Sequence, residues 1–170
     1  MRKLTFLLLI LSLSIVSMAQ KFAYVDTDYI LKSIPTYESA QEQLQIMSND
    51  WQAEIEVKYA EIEKLYKEFQ AEKVLLTEDM KTKREDEIIQ NERIVKDLQK
   101  KYFGAEGDLF RKRKELIEPI QTDIFNAIKE IAADGNYAII FDAAGGSNFL
   151  YSDPKYDKSD MVLEKLGFKN

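Results

Sequence analysis

Apolar positions in the middle of the chain follow the spacing of a coiled-coil helix. From Tyr37 to about Leu76 there is no Gly or Pro, and apolar residues recur at intervals of three and four. Seven of the ten seam positions are apolar, and the seam consists of Leu44, Ser48, Trp51, Ile55, Lys58, Ile62, Leu65, Phe69, Glu72 and Leu76. This alternation over four heptads predicts a long helix whose seam packs against another helix.

A second segment repeats the pattern after a short polar turn that begins with Thr77, a residue suited to cap a helix. Seven of its nine seam positions are apolar, and this seam consists of Ile88, Asn91, Val95, Leu98, Tyr102, Ala105, Leu109, Lys112 and Leu116. Two such seams predict an antiparallel helical hairpin over residues 37–116. Because a helix of about 40 residues is roughly 60 Å long, we expect the hairpin to project from the rest of the chain.

Two glycines and a proline lie on the returning arm of this hairpin. Gly104 and Gly107 fall between Phe103 and Phe110, and each glycine weakens a helix by roughly 1 kcal/mol relative to Ala. Pro119 removes a helix hydrogen bond and predicts a break where the hairpin joins the rest of the chain. Gly104, Gly107 and Pro119 are therefore the candidate hinge residues.

The two ends of the chain contain shorter, more apolar elements. Buried strands are predicted at residues 22–25, 137–141 and 148–151. A short helix capped within residues 26–28 is predicted through Lys32, and further helices are predicted over the stripe from Ile120 to Ile131 and from Ser159 to Gly167. Three short strands cannot enclose a core alone. We therefore predict an α+β chain whose β-strand and helix body, residues 20–36 and 117–170, associates with other copies.

The first nineteen residues have the organisation of an export signal. Arg2 and Lys3 precede the apolar run Leu4–Val16, and the small residues around Ala19 suit cleavage after that position. Thirteen mostly apolar residues are fewer than the roughly 20 that a membrane-spanning helix needs. We predict a signal peptide at residues 1–19, a mature protein outside the cytoplasm, and no stable membrane insertion.

Composition limits the chemistry that the chain can perform. There is no His and no Cys, and the net charge of −6 becomes −8 once Arg2 and Lys3 are removed. The first feature removes the commonest general base and ordinary zinc ligands, and the second argues against nucleic-acid binding. The carboxylates that remain as candidates, Asp26 with Asp28 and Asp142 with Asp153, also suit helix caps and turns. We predict no enzyme, cofactor or metal site, with a carboxylate-based hydrolase as an alternative.

A second apolar stripe follows one residue after each seam. Tyr59 and Tyr66 are seven apart on the first arm, as are Phe103, Phe110 and Ile117 on the second. These side chains either thicken the packing of the hairpin and its base or form an exposed surface that binds something apolar. The nearby basic run Arg111–Lys114 has acidic neighbours, which favours a solvated helix face over a site for anionic lipid or phosphate.

Four stretches of the mature chain resemble the Skp (OmpH-like) family of periplasmic chaperones. They are FAYVDTDYIL (22–31), KYFGAEGDLFRKRKELIEPI (101–120), YAIIFDAAG (137–145) and NFLYSDPKYDKSDMVLEKLG (148–167). The resemblance implies a homotrimer with three helical hairpins, or tentacles, that hold unfolded outer-membrane β-barrel proteins in the periplasm without ATP. On that interpretation the stripe Tyr59, Tyr66, Phe103, Phe110 and Ile117 binds clients.

One feature departs from the family pattern, and one alternative function remains. The best-known members are strongly basic, whereas residues 38–76 here carry nine acidic and four basic side chains. We therefore do not expect charge steering toward acidic clients or a lipopolysaccharide site. The heptads by themselves also suit a structural coiled-coil spacer or adaptor of the cell envelope.

Overall fold

The computed structural model describes residues 21–146 and 149–169, so the predicted signal peptide lies outside the described residues. The elements are β1 (Lys21–Val25), α1 (Thr27–Lys32), α2 (Pro35–Glu72), α3 (Glu78–Phe103), α4 (Asp108–Gly135), β2 (Tyr137–Asp142) and α5 (Ser159–Lys165), with a 3₁₀ turn at Pro154–Tyr156. The described residues form two compact units, residues 34–123 (the hairpin unit) and residues 21–33 with 124–169 (the body unit). The domain boundaries inferred from the sequence stay a prediction.

Helices α2 and α3 pack against each other through the predicted seams. The cluster between them buries three residues from each helix, and its members are Ile55, Ile62, Phe69, Ile88, Val95 and Tyr102. All six are predicted seam residues, so the heptad prediction is confirmed over this length. The connection is short, and the Thr77 hydroxyl accepts a hydrogen bond from the amide of Met80 at 3.4 Å to begin α3. A short connection between packed helices gives an antiparallel hairpin.

The returning arm is interrupted completely at the two glycines. Helix α3 ends at Phe103 and α4 begins at Asp108. A Cβ atom on Gly107 would lie 2.7 Å from the carbonyl oxygen of Tyr102 and 2.9 Å from that of Lys101, closer than such atoms can approach. The sequence predicted a soft point within one helix, but the close backbone approach that glycine permits produces a break between two helices.

The predicted break at Pro119 is wrong, because α4 continues through Pro119 as far as Gly135. A proline inside a helix costs roughly 3 kcal/mol. Buried aliphatic residues lie on both sides of it on α4, including Ile117, Ile124 and Ile131. Each contributes roughly 1.5–3 kcal/mol when fully buried, which is enough to keep the helix continuous.

The body unit contains a two-stranded parallel sheet in which Phe22 pairs with Ile139 and Tyr24 with Phe141. The predicted third strand is wrong where the structure describes it, since residues 149–151 form no strand, and Asn148 lies outside the described residues. Phe149 packs by its ring instead, with its centroid 5.8 Å from that of Phe141. Side-chain packing of this kind satisfies the apolar pattern without strand pairing, so the pattern alone overpredicted the sheet.

A small core joins the sheet to the two short helices. Ile30 on α1 and Val162 and Leu163 on α5 are fully buried. The buried hydroxyl of Ser159 accepts a hydrogen bond from the amide of Asp26 at 2.8 Å and donates one to the Asp157 carboxylate at 2.6 Å. This pair of hydrogen bonds ties the start of α5 to the end of β1, since a buried hydroxyl needs partners to be stable there.

Candidate functional site

Three aromatic side chains of the predicted client-binding stripe are exposed on the hairpin unit. Tyr59 is 47 % exposed, Tyr66 53 % and Phe110 52 %. Each follows a seam residue by one position, which places it on the flank of the helix pair rather than in the contact between helices. We call these three residues the aromatic flank. Large exposed aromatic side chains add apolar area without adding to the hairpin core.

The other two members of the stripe serve the packing of the hairpin, which was the first of the two possibilities left by the sequence. Phe103 is half-buried, and its ring meets that of Trp51 edge-on with centroids 6.5 Å apart. Ile117 is only 8 % exposed and packs in a cluster with Ala40 and Leu44. Within this chain, Ile117 is therefore not part of an exposed binding surface.

Sequence reasoning missed most of the exposed apolar side chains of the hairpin unit. None of them is a seam residue, and they are Ile46, Val57, Val74, Leu75, Met80, Ile89 and Ile94. Val74 and Leu75, in the connection between α2 and α3, are the most exposed, at 92 % and 86 %. A search for apolar residues at off-seam heptad positions would have found them, because a solvated helix face normally carries polar residues there.

An aromatic cluster holds α2 and α3 together beside the helix break. The rings of Trp51 and Tyr102 are stacked, with centroids 4.8 Å apart and planes 8° from parallel. The Tyr102 hydroxyl donates a hydrogen bond to Oε2 of Glu54 at 2.8 Å. This hydrogen bond, with a smaller contribution from burial, raises the pKa of Tyr102. The hairpin is therefore anchored directly before its returning arm breaks.

The ion pairs of the hairpin unit lie along single helices. Examples are Lys58 with Glu61 at 2.8 Å and Arg84 with Glu87 at 3.0 Å. A hydrogen bond from Lys67 lowers the pKa of Glu63. Exposed pairs of this type contribute little to stability. They keep the helix faces between the apolar residues polar.

A second exposed apolar surface lies on the sheet of the body unit. Phe22, Ile139 and Phe141 project from one face of β1 and β2, and each is exposed to solvent. Tyr24 and Phe149 lie beside them and help to line a groove of about 750 Å³. Aromatic side chains uncovered on a sheet are a frequent sign of contact with another protein surface.

The candidate carboxylates have structural roles. Asp26 accepts a hydrogen bond from the Tyr29 amide at 2.9 Å at the start of α1, and Asp153 accepts one from the Lys155 amide at 3.1 Å. Asp142 joins the end of β2 to α1, accepting from the Thr27 hydroxyl at 2.7 Å and the Ala144 amide at 3.0 Å. No cluster of acidic residues that could hold a metal ion occurs in the described residues. Nor do the described helices include one apolar enough over sufficient length to cross a membrane.

Replacing Asp142 by Asn should weaken the junction between β2 and α1 by about 1 kcal/mol at pH 7. Burial raises the pKa of Asp142, but the hydrogen bonds from Thr27 and Ala144 outweigh that effect and the pKa is lowered overall. A lowered pKa means that the stabilisation is present above the unfolded-state pKa of about 3.9 and is lost as pH falls through the folded-state value. Hydrogen exchange of the β1 and β2 amides should separate the two proteins at pH 7 and much less at pH 3.

The matched control is Asp28→Asn, which removes an exposed carboxylate from α1. We expect it to leave the exchange of the β1 and β2 amides nearly unchanged. Equal effects of the two substitutions would show that loss of charge, rather than loss of the hydrogen bonds, explains the result.

Comparison with known proteins gives a match to one protein family and a match to a solved structure. The family profile described as "Outer membrane protein (OmpH-like)" matches residues 21–166. The crystal structure of a candidate OmpH-like outer membrane chaperone from Caulobacter crescentus CB15 superposes with a TM-score of 0.69 at 10 % sequence identity, over 86 % of this chain and 83 % of that one. At so low an identity, the superposition shows a shared fold alone. No curated protein sequence matches this chain.

Proposed function

Because the chain belongs to the OmpH-like outer membrane protein family, we propose that it is an ATP-independent holdase chaperone of the periplasm. Its clients are unfolded outer-membrane β-barrel proteins, which it keeps from aggregating on their way to the outer membrane. The proposal requires export, for which the predicted signal peptide at residues 1–19 provides the route. It requires neither a catalytic site nor a cofactor.

The exposed aromatic flank is the observation that carries this proposal. A holdase must bind many unfolded sequences, so it needs shape-tolerant apolar contacts instead of a deep pocket that fits one ligand. Tyr59, Tyr66 and Phe110 are each about half exposed, and they lie on helices that bury other residues in the clusters of the hairpin unit. Covering several such side chains gives a few kcal/mol in total, which suits reversible binding.

The acidic surplus of the first arm makes apolar contact more important than charge. Residues 38–76 carry nine acidic and four basic side chains, and several of the basic ones are paired along the helix. A negative surface gives no long-range attraction for acidic clients. Client binding by this protein should therefore depend only weakly on salt concentration.

Association of three copies is the arrangement we propose for the assembled chaperone. Phe22, Ile139 and Phe141 are exposed on the sheet, and β2 pairs only with β1 among the described strands. An open strand edge beside uncovered aromatic residues favours contact with another chain. A homotrimer formed through the body units would cover these residues and leave the hairpin units available to clients.

The break at Gly104 and Gly107 supports a hinge within each hairpin. Four residues separate α3 from α4, and the break lies between Phe103 and Phe110. We propose that bending at this point adapts the arm to clients of different size. Pro119 is a weaker hinge candidate, because the helix around it is continuous.

Dilution of a urea-unfolded outer-membrane porin into the purified mature protein tests the proposed function. We expect aggregation to be suppressed without ATP at about one trimer per porin, and light scattering should give the mass of a trimer. Aggregation equal to that in buffer alone would refute the holdase, and a monomeric mass would refute the proposed assembly.

A further inference from the structure

A small recess opens at the helix break of the hairpin unit. Its volume is about 230 Å³, and it is lined by Phe103, Gly104, Ala105, Leu109, Phe110 and Arg113. Pockets for drug-sized ligands enclose roughly 300–1,000 Å³, so this recess has room for about one side chain. The side chains that line it are apolar except for the single guanidinium group of Arg113, and we call it the break recess.

Arg113 differs from the other three members of the basic run at residues 111–114. Each of the others has an acidic partner on α4, and the pairs are Arg111–Asp108, Lys112–Glu115 and Lys114–Glu118. Arg113 is exposed and has no ion pair within the described residues. The helical neighbours of Arg113 at three and four positions are all apolar, namely Leu109, Phe110, Leu116 and Ile117. No carboxylate at these positions can neutralise its charge.

The helix break explains why an apolar recess exists beside this cation. Gly104 lines the recess without a side chain, and its amide hydrogen-bonds to the Lys100 carbonyl oxygen at 2.9 Å as α3 ends. The next helix begins at Asp108, so the rings of Phe103 and Phe110 lie on either side of the interruption.

We infer that the break recess binds one aromatic side chain of an unfolded client when an Asp or Glu adjoins it in sequence. Phe103 and Phe110 provide ring contacts for the aromatic group, and Arg113 binds the adjoining carboxylate through charge-assisted hydrogen bonds. This inference rests on the proposed holdase function and adds a local sequence preference to it. The recess recognises one aromatic residue and its acidic neighbour in a client. The acidic first arm as a whole does not attract negatively charged clients.

Short labelled peptides with blocked termini test the preference directly. Three peptides carry Phe-Asp, Phe-Lys or Ser-Asp within the same Gly-Ser sequence, and fluorescence anisotropy measures their affinity. We expect the Phe-Asp peptide to bind about ten-fold more tightly than either of the others, as one charge-assisted hydrogen bond allows. Trp51 is the only tryptophan and touches Phe103, so its fluorescence should change on binding. Tight binding without that change would place the peptide elsewhere and overturn the inference.

Substitution of Arg113 distinguishes binding at the break recess from non-specific binding of peptides elsewhere on the protein. Arg113→Gln should remove the preference for Phe-Asp over Phe-Lys, and Arg113→Lys should retain part of it because the charge remains but the bidentate geometry is lost. The matched control Arg93→Gln removes another exposed arginine without an ion pair among the described residues and should change neither affinity. Equal binding of Phe-Asp and Phe-Lys by the unaltered protein, or equal effects of the two Gln substitutions, would overturn the inference.

The peptide and porin assays fail independently. Suppression of porin aggregation without any peptide preference would refute client recognition by the break recess. The proposed holdase function would still stand. Failure to suppress porin aggregation would refute the holdase itself, whichever peptide binds.

Discussion

Replacement of Tyr59, Tyr66 and Phe110 by Ser should abolish most of the aggregation suppression while the protein remains folded. All three side chains are about half exposed and stand outside the buried cluster of the hairpin. Each contributes about 1–2 kcal/mol when a client covers it, so their combined loss should weaken client binding by a factor of about 100 or more. The porin dilution assay measures this loss, and circular dichroism checks that helix content is unchanged.

A matched triple substitution identifies the cause of that loss. Gln70, Gln90 and Gln99 are exposed polar residues on α2 and α3, and their replacement by Ser removes side-chain volume but little apolar area. We expect this control to suppress aggregation as well as the unaltered protein does. If both triple variants lost activity equally, the aromatic flank would not be the client surface.

Replacement of both Gly104 and Gly107 by Ala should rearrange the returning arm instead of simply stiffening it. The new Cβ atom at position 107 would lie 2.7 Å from the Tyr102 carbonyl oxygen, so the backbone must move. Relief of that contact disturbs Tyr102, its stacking on Trp51 and its hydrogen bond to Glu54. We expect a loss of about 1–3 kcal/mol in hairpin stability, a changed Trp51 fluorescence spectrum, and a narrower range of client sizes.

The exposed residue Glu106 provides the control for this pair, because it lies in the same break and does not line the break recess. Glu106→Ala should leave the Trp51 spectrum and the client range unchanged. A double Ala variant with the same spectrum and the same range of clients as the unaltered protein would refute the hinge.

The candidate site was predictable in part. A spacing of seven residues located Tyr59, Tyr66 and Phe110, because heptad position determines which side of a helix a residue occupies. The same rule gave Ile117 an equivalent position, yet the structure buries Ile117 against Ala40 and Leu44. Local spacing fixes direction along one helix, but burial depends on which other segment arrives at that face.

Arg113 illustrates the same limit for charge. The sequence shows a run of four basic residues, and helical spacing leaves Arg113 as the one without a carboxylate three or four positions away. The structure pairs the other three and places Arg113 beside Phe110 in the break recess. The recess forms at the helix break, which the spacing of the charges does not show.

The sequence by itself determined the helical hairpin, its seams, the short α1 and α5 helices and the strands β1 and β2. These elements follow from local periodicity and capping, which act over a few residues. Only the tertiary structure decided that the chain breaks at Gly104–Gly107 and stays helical through Pro119, since both outcomes weigh a local cost against packing. It also decided that Phe149 packs on Phe141 without forming a strand, because side-chain contacts between distant segments have no signature in the local sequence.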